Sequence, residues 1–94
     1  MNERERRALI DGYLNRLARE LGDVPAGARH ELLEDVRGHI EEAWEASPVQ
    51  DRAALQAILE RLGAPEVLAR EERERLGLLN PAPARGPDWL ALAA

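Results

Sequence analysis

The sequence contains no cysteine, no lysine and no phenylalanine, and only two histidines among its 94 residues. The absence of cysteine excludes a disulfide scaffold, a cysteine-ligated zinc finger and a thiol enzyme. Two histidines are few for a catalytic or metal centre. A chain of this length supports one small domain. The composition therefore favours a helical interaction module over an enzyme.

Positive charge is also in short supply, since 13 arginines face 18 acidic residues and the formal net charge is −5. A protein that neutralises phosphates needs a clustered positive surface, so we expect no direct contact with nucleic acid. No stretch approaches the roughly 20 apolar residues of a transmembrane helix, and no signal peptide precedes the charged N-terminus. These features predict a cytosolic domain.

The hydrophobic periodicity predicts an all-α fold, a small bundle of four helices at about 2–21, 26–46, 48–62 and 65–77. The first helix has a narrow apolar stripe and ends at Gly22, which we expect to adopt the left-handed conformation. The stripe consists of Ile10, Tyr13, Leu14, Leu17 and Leu21.

The second predicted helix is the most asymmetric. One face is apolar, with Leu32, Leu33, Val36, Ile40, Ala43 and Trp44. The opposite face is almost entirely acidic, with Glu31, Glu34, Asp35, Glu41, Glu42 and Glu45 around Gly38. A helix-interior glycine costs about 1 kcal/mol relative to alanine. Gly38 therefore indicates either that the helix tolerates this cost or that another group packs closely against the helix at this position.

Capping signals define the third helix. Ser47 and Gln50 match a capping box around Pro48, and Asp51 offers a second start. The helix buries leucine and isoleucine side chains, which are Leu55, Ile58, Leu59 and Leu62.

A tight corner made by Leu62, Gly63 and Pro65 joins the third helix to the fourth, with the poor N-cap Ala64 between. The fourth helix has a broken stripe of Val67, Leu68, Leu78 and Leu79. Glu71 and Arg75 are spaced to form an ion pair along it.

The C-terminal part, 80–94, differs from the helical domain at 1–79. Prolines at 81, 83 and 87 predict an extended linker. Trp89 then starts an apolar run of the kind that begins a membrane span at the headgroup level. Two interpretations stay open, a truncated membrane segment and a frayed terminus.

The histidines are candidates for chemistry, and the sequence offers little support for it. Asp35 and His39 are one turn apart and can form an i,i+4 pair. No serine or cysteine nucleophile is placed near them. A metal site made from His30, Glu34, Asp35 and His39 is disfavoured because the two histidines lie on different sides of the helix. We therefore predict no catalytic, cofactor or metal residues, and interpret His39 as a structural or partner-contacting residue.

The row of carboxylates is the most informative surface feature. Most such rows are simply solvated helix faces. Six like charges also repel one another, however, and a basic partner would relieve that repulsion. A docking surface for a basic protein is the sharper hypothesis.

Three segments of the chain together resemble the HAAS signalling domain and the related permease-prefix domains, over about 8–75. The segments are Leu9 to Leu14, Leu32 to Ala43, and Leu59 to Ala69. The most specific parts are the acidic-x3-His spacing of Asp35 and His39 and the corner from Leu62 to Ala69. Family members commonly have aspartate where this chain has Ala64, so a cap by aspartate cannot be carried over.

The resemblance implies a cytosolic helical domain on the inner side of a membrane, which precedes transmembrane segments and binds a PadR-like winged-helix transcription regulator. On this hypothesis the membrane part follows Ala94. The regulator would contact the second helix through Glu34, Asp35, His39, Glu41, Glu42 and Glu45. Two alternatives stay open: the regulatory prefix domain of an ABC-type permease, and a free-standing homo-oligomerising bundle.

Overall fold

The computed structural model describes residues 1–77, which form four α-helices without strands in that range. These are α1 (Glu3–Glu20), α2 (Ala26–Ala46), α3 (Arg52–Leu62) and α4 (Pro65–Leu76). The all-α prediction is confirmed. The predicted linker and apolar run at 80–94 lie outside the described residues, as do Leu78 and Leu79.

α1 is the central element, because it packs against each of the other three helices. Asn2 caps its N-terminus by accepting a hydrogen bond from the Glu5 amide at 2.8 Å. The whole predicted stripe is buried, and Leu17 and Leu21 are completely inaccessible. Gly22 does not have the expected left-handed conformation, since Gly63 and Gly77 are the positive-φ glycines of the described residues. Leu21 is the C-cap, and its amide donates back into the last turn.

α2 adds Val36, Ile40 and Trp44 to the core, and α3 adds Leu55 and Ile58. α3 begins later than the predicted residue 48. Asp51 is its N-cap and accepts from the Ala54 amide at 2.8 Å. Ser47 instead ends α2, and the Gln50 side chain donates to the Trp44 carbonyl at 3.0 Å. The predicted capping box therefore does not form, because Gln50 satisfies a carbonyl at the end of α2.

The corner between α3 and α4 forms as predicted from Leu62, Gly63 and Pro65. Gly63 has φ 98°, a conformation that side-chain-bearing residues rarely adopt. Pro65 is the buried first residue of α4, and Ala64 makes no side-chain cap. The Tyr13 hydroxyl donates to the Gly63 carbonyl at 2.7 Å, which fixes the corner on α1. Burial of Tyr13 raises the pKa of its hydroxyl.

α4 buries a different face from the predicted one. Val67 is half exposed, whereas Ala69 is completely buried and Glu72 is 5% exposed. Arg75 donates to the Glu72 carboxylate at 2.6 and 2.9 Å, so it pairs with Glu72 and not with Glu71. Ala69 and the neutralised Glu72 are therefore more deeply buried than Leu68, the member of the predicted stripe that packs against the core within residues 1–77.

Arg73 fixes the other end of α4 to the turn between α1 and α2. Its Nε lies 3.1 Å from both carboxylate oxygens of Asp23, and its guanidinium also donates to the Glu20 carbonyl. This contact holds α4 beside the start of α2.

Candidate functional site: the outer face of the second helix

The outer side of α2 carries exposed carboxylates along its whole length. Val36, Ile40 and Trp44 turn inward, and the helical period places the acidic residues on the opposite side. We define the acidic face as the exposed members of this set, which are Glu31, Glu34, Asp35, Glu42 and Glu45. The predicted asymmetry of this helix is therefore present in the structure.

None of these five carboxylates forms an ion pair within residues 1–77. The acids of α1 behave differently. Glu3 pairs with Arg6, Glu5 lies 3.6 Å from Arg52, and Asp11 lies 3.2 Å from Arg37. Three of the four acids of α1 thus form ion pairs, the exception being Glu20, whereas none of the five carboxylates of the acidic face does so in the described residues.

Glu41 differs from the other predicted docking residues because it is part of the fold. Both of its carboxylate oxygens accept from Arg6 Nη1 at 2.9 Å. The Arg6 guanidinium also pairs with Glu3 and lies 5.8 Å from the centre of the Trp44 ring, a cation–π distance. Hydrogen bonds to Glu3 and Glu41 raise the pKa of Arg6, and the contact with Arg6 lowers the pKa of Glu3. This cluster joins the start of α1 to α2 and engages the Glu41 carboxylate within the fold, with 39% of the Glu41 side chain exposed.

His39 is exposed on α2, beside the acidic face. No hydrogen bond or ion pair joins it to Asp35 in the described part of the chain, so the two residues lie close in sequence without forming the predicted pair. Gly38 lies between the two ends of the acidic face. A Cβ added there would meet no atom within 4 Å, so nothing in the folded domain requires glycine at this position.

The two ends of the acidic face have different electrostatic surroundings. Arg75, held by Glu72, also feels the negative charges of Glu31 and Asp35, and all three carboxylates raise its pKa. The N-terminal end of the acidic face therefore has a cation nearby. Glu42 and Glu45, at the other end, form no ion pair in the described residues, and the nearby Arg6 is engaged by Glu3 and Glu41.

Sequence reasoning missed three contacts that fix the helices relative to one another. They are the Arg6–Glu41 pair, the Tyr13–Gly63 hydrogen bond and the Arg73–Asp23 pair. Each joins residues at least 35 positions apart, and only a known helix packing could have indicated them. Asn2 and Asp51 had recognisable capping positions.

The arrangement is suited to electrostatic contact with a positively charged macromolecule. Its carboxylates are solvated and displayed over about 21 Å of helix, at about 1.5 Å per residue from Glu31 to Glu45. Within residues 1–77, no group of three or more histidines and acids is arranged to hold a metal ion. In the same range, no helix combines the length and apolarity needed to cross a bilayer.

Comparison with protein-family models gives a match to HAAS over residues 12–71. The match starts within α1 and ends within α4, and includes all of α2 with its acidic face and the corner at Gly63. Searches against curated proteins and against solved structures found no match. Since the family model covers well over half of the 94 residues, the chain belongs to the HAAS family of small helical signalling and interaction domains.

Proposed function

We propose that the domain binds a PadR-like winged-helix transcription regulator through the acidic face of α2 and thereby modulates it. The observation that carries the proposal is the set of five exposed carboxylates without ion-pair partners in the described residues. The HAAS match and the resemblance to domains associated with such regulators support the identity of the partner.

Charge complementarity supplies the mechanism. A DNA-binding protein needs a basic surface to neutralise phosphates, and the acidic face offers carboxylates to the same arginines and lysines. Binding relieves the mutual repulsion of the carboxylates and speeds encounter through long-range attraction. A regulator held in this way has fewer basic groups available for DNA.

The structure changes the expected roles of two predicted contact residues. Glu41 is engaged by Arg6, so it stabilises the domain and contributes little to docking. His39 is exposed next to the acidic face and is available to the partner. The contact set of this proposal is therefore Glu34, Asp35, Glu42 and Glu45, together with His39.

Calorimetry with a purified PadR-like regulator encoded beside this gene tests the proposal. Replacing Glu34, Glu42 and Glu45 by Gln and Asp35 by Asn removes four charges and keeps side-chain shape. We expect the dissociation constant to rise at least about tenfold, equivalent to about 1.4 kcal/mol.

A charge-matched control separates position from net charge. Its four substitutions are Glu60→Gln, Glu66→Gln, Glu71→Gln and Glu74→Gln, at exposed residues without ion pairs in the described range. Equal weakening by both variants would mean that net charge alone matters. Absence of binding by the unaltered domain would overturn the proposal.

We further propose that the domain is tethered to the inner side of the cell membrane in a longer protein. The apolar composition that follows Trp89 and the resemblance to permease-prefix domains support this. Fractionation of cells that express the full-length gene tests it, with recovery in the membrane fraction expected. Several encoded spans with permease architecture would favour the permease-prefix alternative, and recovery in the soluble fraction would contradict both.

A further inference from the structure

The outer side of α1 carries arginines that the fold does not use. We define the arginine face as Arg4, Arg16 and Arg19, which are exposed and have no ion-pair partner in residues 1–77. The acids on or beside this side are Glu5, Asp11 and Glu20. Arg52 and Arg37 compensate Glu5 and Asp11, at 3.6 and 3.2 Å respectively, whereas Glu20 is exposed and has no ion pair in the same range. The net character of this surface is therefore positive, although the whole chain carries −5.

The arginine face and the acidic face match in length. Arg4 and Arg19 are separated by about 22 Å along α1, and Glu31 and Glu45 by about 21 Å along α2, at about 1.5 Å per residue. On both helices the charged residues lie toward the two ends of the surface, with a glycine between them, Gly12 on α1 and Gly38 on α2. The two surfaces are therefore complementary in charge and similar in spacing.

Each surface has a glycine where its charges are interrupted, Gly12 on α1 and Gly38 on α2. A Cβ added at either position would meet no atom within 4 Å. Glycine is unfavourable in a helix interior, and the packing of the domain requires it at neither position. Two such glycines allow close approach of a second helix from outside.

Gly12 also lies in an open groove of about 690 Å³ between α1 and α3. Leu9, Tyr13 and Leu59 contribute apolar surface to it, and its charged lining residues are Arg16 on the α1 side and Glu60 on the α3 side. A helix seated there would cover apolar atoms and bring its own charges against the arginines. The groove gives the arginine face a concave shape that the exposed side of α2 can enter.

We propose that the domain self-associates by seating the acidic face of one copy on the arginine face and groove of a second copy. The two surfaces belong to different helices, so the contact is heterologous, and the pair of copies retains one free acidic face and one free arginine face. Further copies can add. The acidic face would then be shared, so self-association and binding of a basic partner would exclude each other. The proposal itself does not depend on the identity of that partner.

Sedimentation equilibrium of the full chain tests the proposal, from about 10 μM to about 1 mM in about 0.15 M salt. We expect the weight-average mass to rise at least about 1.5-fold over this range, as for a small and weak interface. In about 1 M salt, where the Debye length falls to about 3 Å, the rise should disappear. A monomer at every concentration would overturn the proposal.

Charge reversal identifies the surfaces. Arg16→Glu with Arg19→Glu reverses the arginine face, and Glu34→Arg with Glu42→Arg and Glu45→Arg reverses the acidic face on both sides of Gly38. Each charge-reversal variant alone should stay monomeric. An equimolar mixture should regain the mass increase, because each variant then meets an oppositely charged surface.

A control variant, Arg70→Glu with Glu74→Arg, alters exposed α4 residues without ion pairs in the described range and should associate like the unaltered chain. Association that persists in either charge-reversal variant alone, or a mixture of the two that stays monomeric, would overturn the proposal.

The glycines provide a measurement that does not depend on charge. Gly12→Ala should raise the melting temperature by about 4–8 °C, because alanine favours the helix and meets no neighbour in the monomer. The same substitution should weaken self-association at least about threefold by crowding the second helix. Unchanged association in this more stable variant would contradict a contact at the groove. The proposal would also be contradicted if the chain's own C-terminal residues covered the groove in the monomer. In that case the solvent accessibility of Gly12 would be low and would not change with protein concentration.

Discussion

The two faces of α2 contribute differently to the protein. The inner face places Val36, Ile40 and Trp44 in the core, each at most 7% exposed. The outer face contains the five carboxylates of the acidic face, which form no ion pair in the described structure. It also contains Gly38, where an added Cβ would meet no atom within 4 Å. One helix of 21 residues thus has one side that builds the core and another whose acidic residues form no ion pair in residues 1–77.

The outer face also lowers the stability of the helix. Glu31 repels Glu34 and Asp35, and Glu42 repels Glu45, because residues three and four apart are neighbours on a helix. Gly38 adds a cost of about 1 kcal/mol relative to alanine. Costs that bring no benefit to the fold are typical of surfaces that serve another purpose.

The largest expected effect is on the free energy of unfolding, and it compares one residue from each face of α2. Ile40 is completely buried, and Ile40→Ala should lower the free energy of unfolding by about 2–5 kcal/mol because it removes methyl groups and leaves a cavity. His39→Ala changes the neighbouring exposed residue and should cost less than about 0.5 kcal/mol. Urea unfolding followed by circular dichroism measures both. A cost for His39→Ala close to that for Ile40→Ala would show that the outer face contributes to folding.

The next effect concerns the border between the faces, where Arg6 contacts Glu41 and Trp44. Arg6→Met keeps an unbranched side chain against the indole ring and removes the guanidinium. We expect a loss of about 1–2 kcal/mol, because the Arg6 side chain is only 15% exposed and donates to two carboxylates. Arg7→Met is the matched control. Arg7 is 69% exposed and lies 3.8 Å from Glu3, so its loss should fall below about 0.5 kcal/mol in the same urea titration.

Much of the fold follows from local pattern. The buried residues of α1 were predicted from their spacing, and Gly63 and Pro65 were predicted as the corner, because both depend on interactions within a few residues. The start of α3 could not be decided locally, since Ser47 and Asp51 are both good caps. The choice depends on Gln50, whose side chain reaches the Trp44 carbonyl once α2 has formed.

In α4, hydrophobic periodicity did not predict which residues are buried. The buried positions of this helix include Glu72, a carboxylate that hydrophobic periodicity assigns to solvent. Arg75 donates to both carboxylate oxygens of Glu72, and its positive charge compensates the buried negative charge. For the candidate site, the helical period correctly located the carboxylates. It could not distinguish Glu41 from its neighbours, because the partner Arg6 is 35 residues away.

A smaller effect of opposite sign is expected at Gly38. Gly38→Ala should raise the free energy of unfolding by about 1 kcal/mol, because the helix gains a favourable residue and the new methyl group meets open space. A thermal unfolding scan measures it. Gly63→Ala is the informative control, since φ there is 98° and alanine should destabilise the corner. A loss of stability in Gly38→Ala would show that α2 packs closely against something at this position in the isolated domain.

The smallest expected effect depends on salt. Neutralising Glu34, Asp35, Glu42 and Glu45 together should raise the free energy of unfolding by about 0.5 kcal/mol at low ionic strength, because repulsion between neighbours on α2 is removed. The gain should vanish near about 1 M salt, where screening already suppresses that repulsion.

The sign of this last effect is more informative than its size. Glu5→Gln with Asp11→Asn removes two carboxylates that pair with Arg52 and Arg37, and should lower stability by a few tenths of a kcal/mol at low salt. Chemical denaturation of both variants at low and high salt makes the comparison. If neutralising the acidic face also lowers stability, its carboxylates have intramolecular partners in solution and are less available to bind another protein. Opposite signs would mean that the domain keeps charges on α2 that its own folding disfavours, as a surface for binding a partner requires.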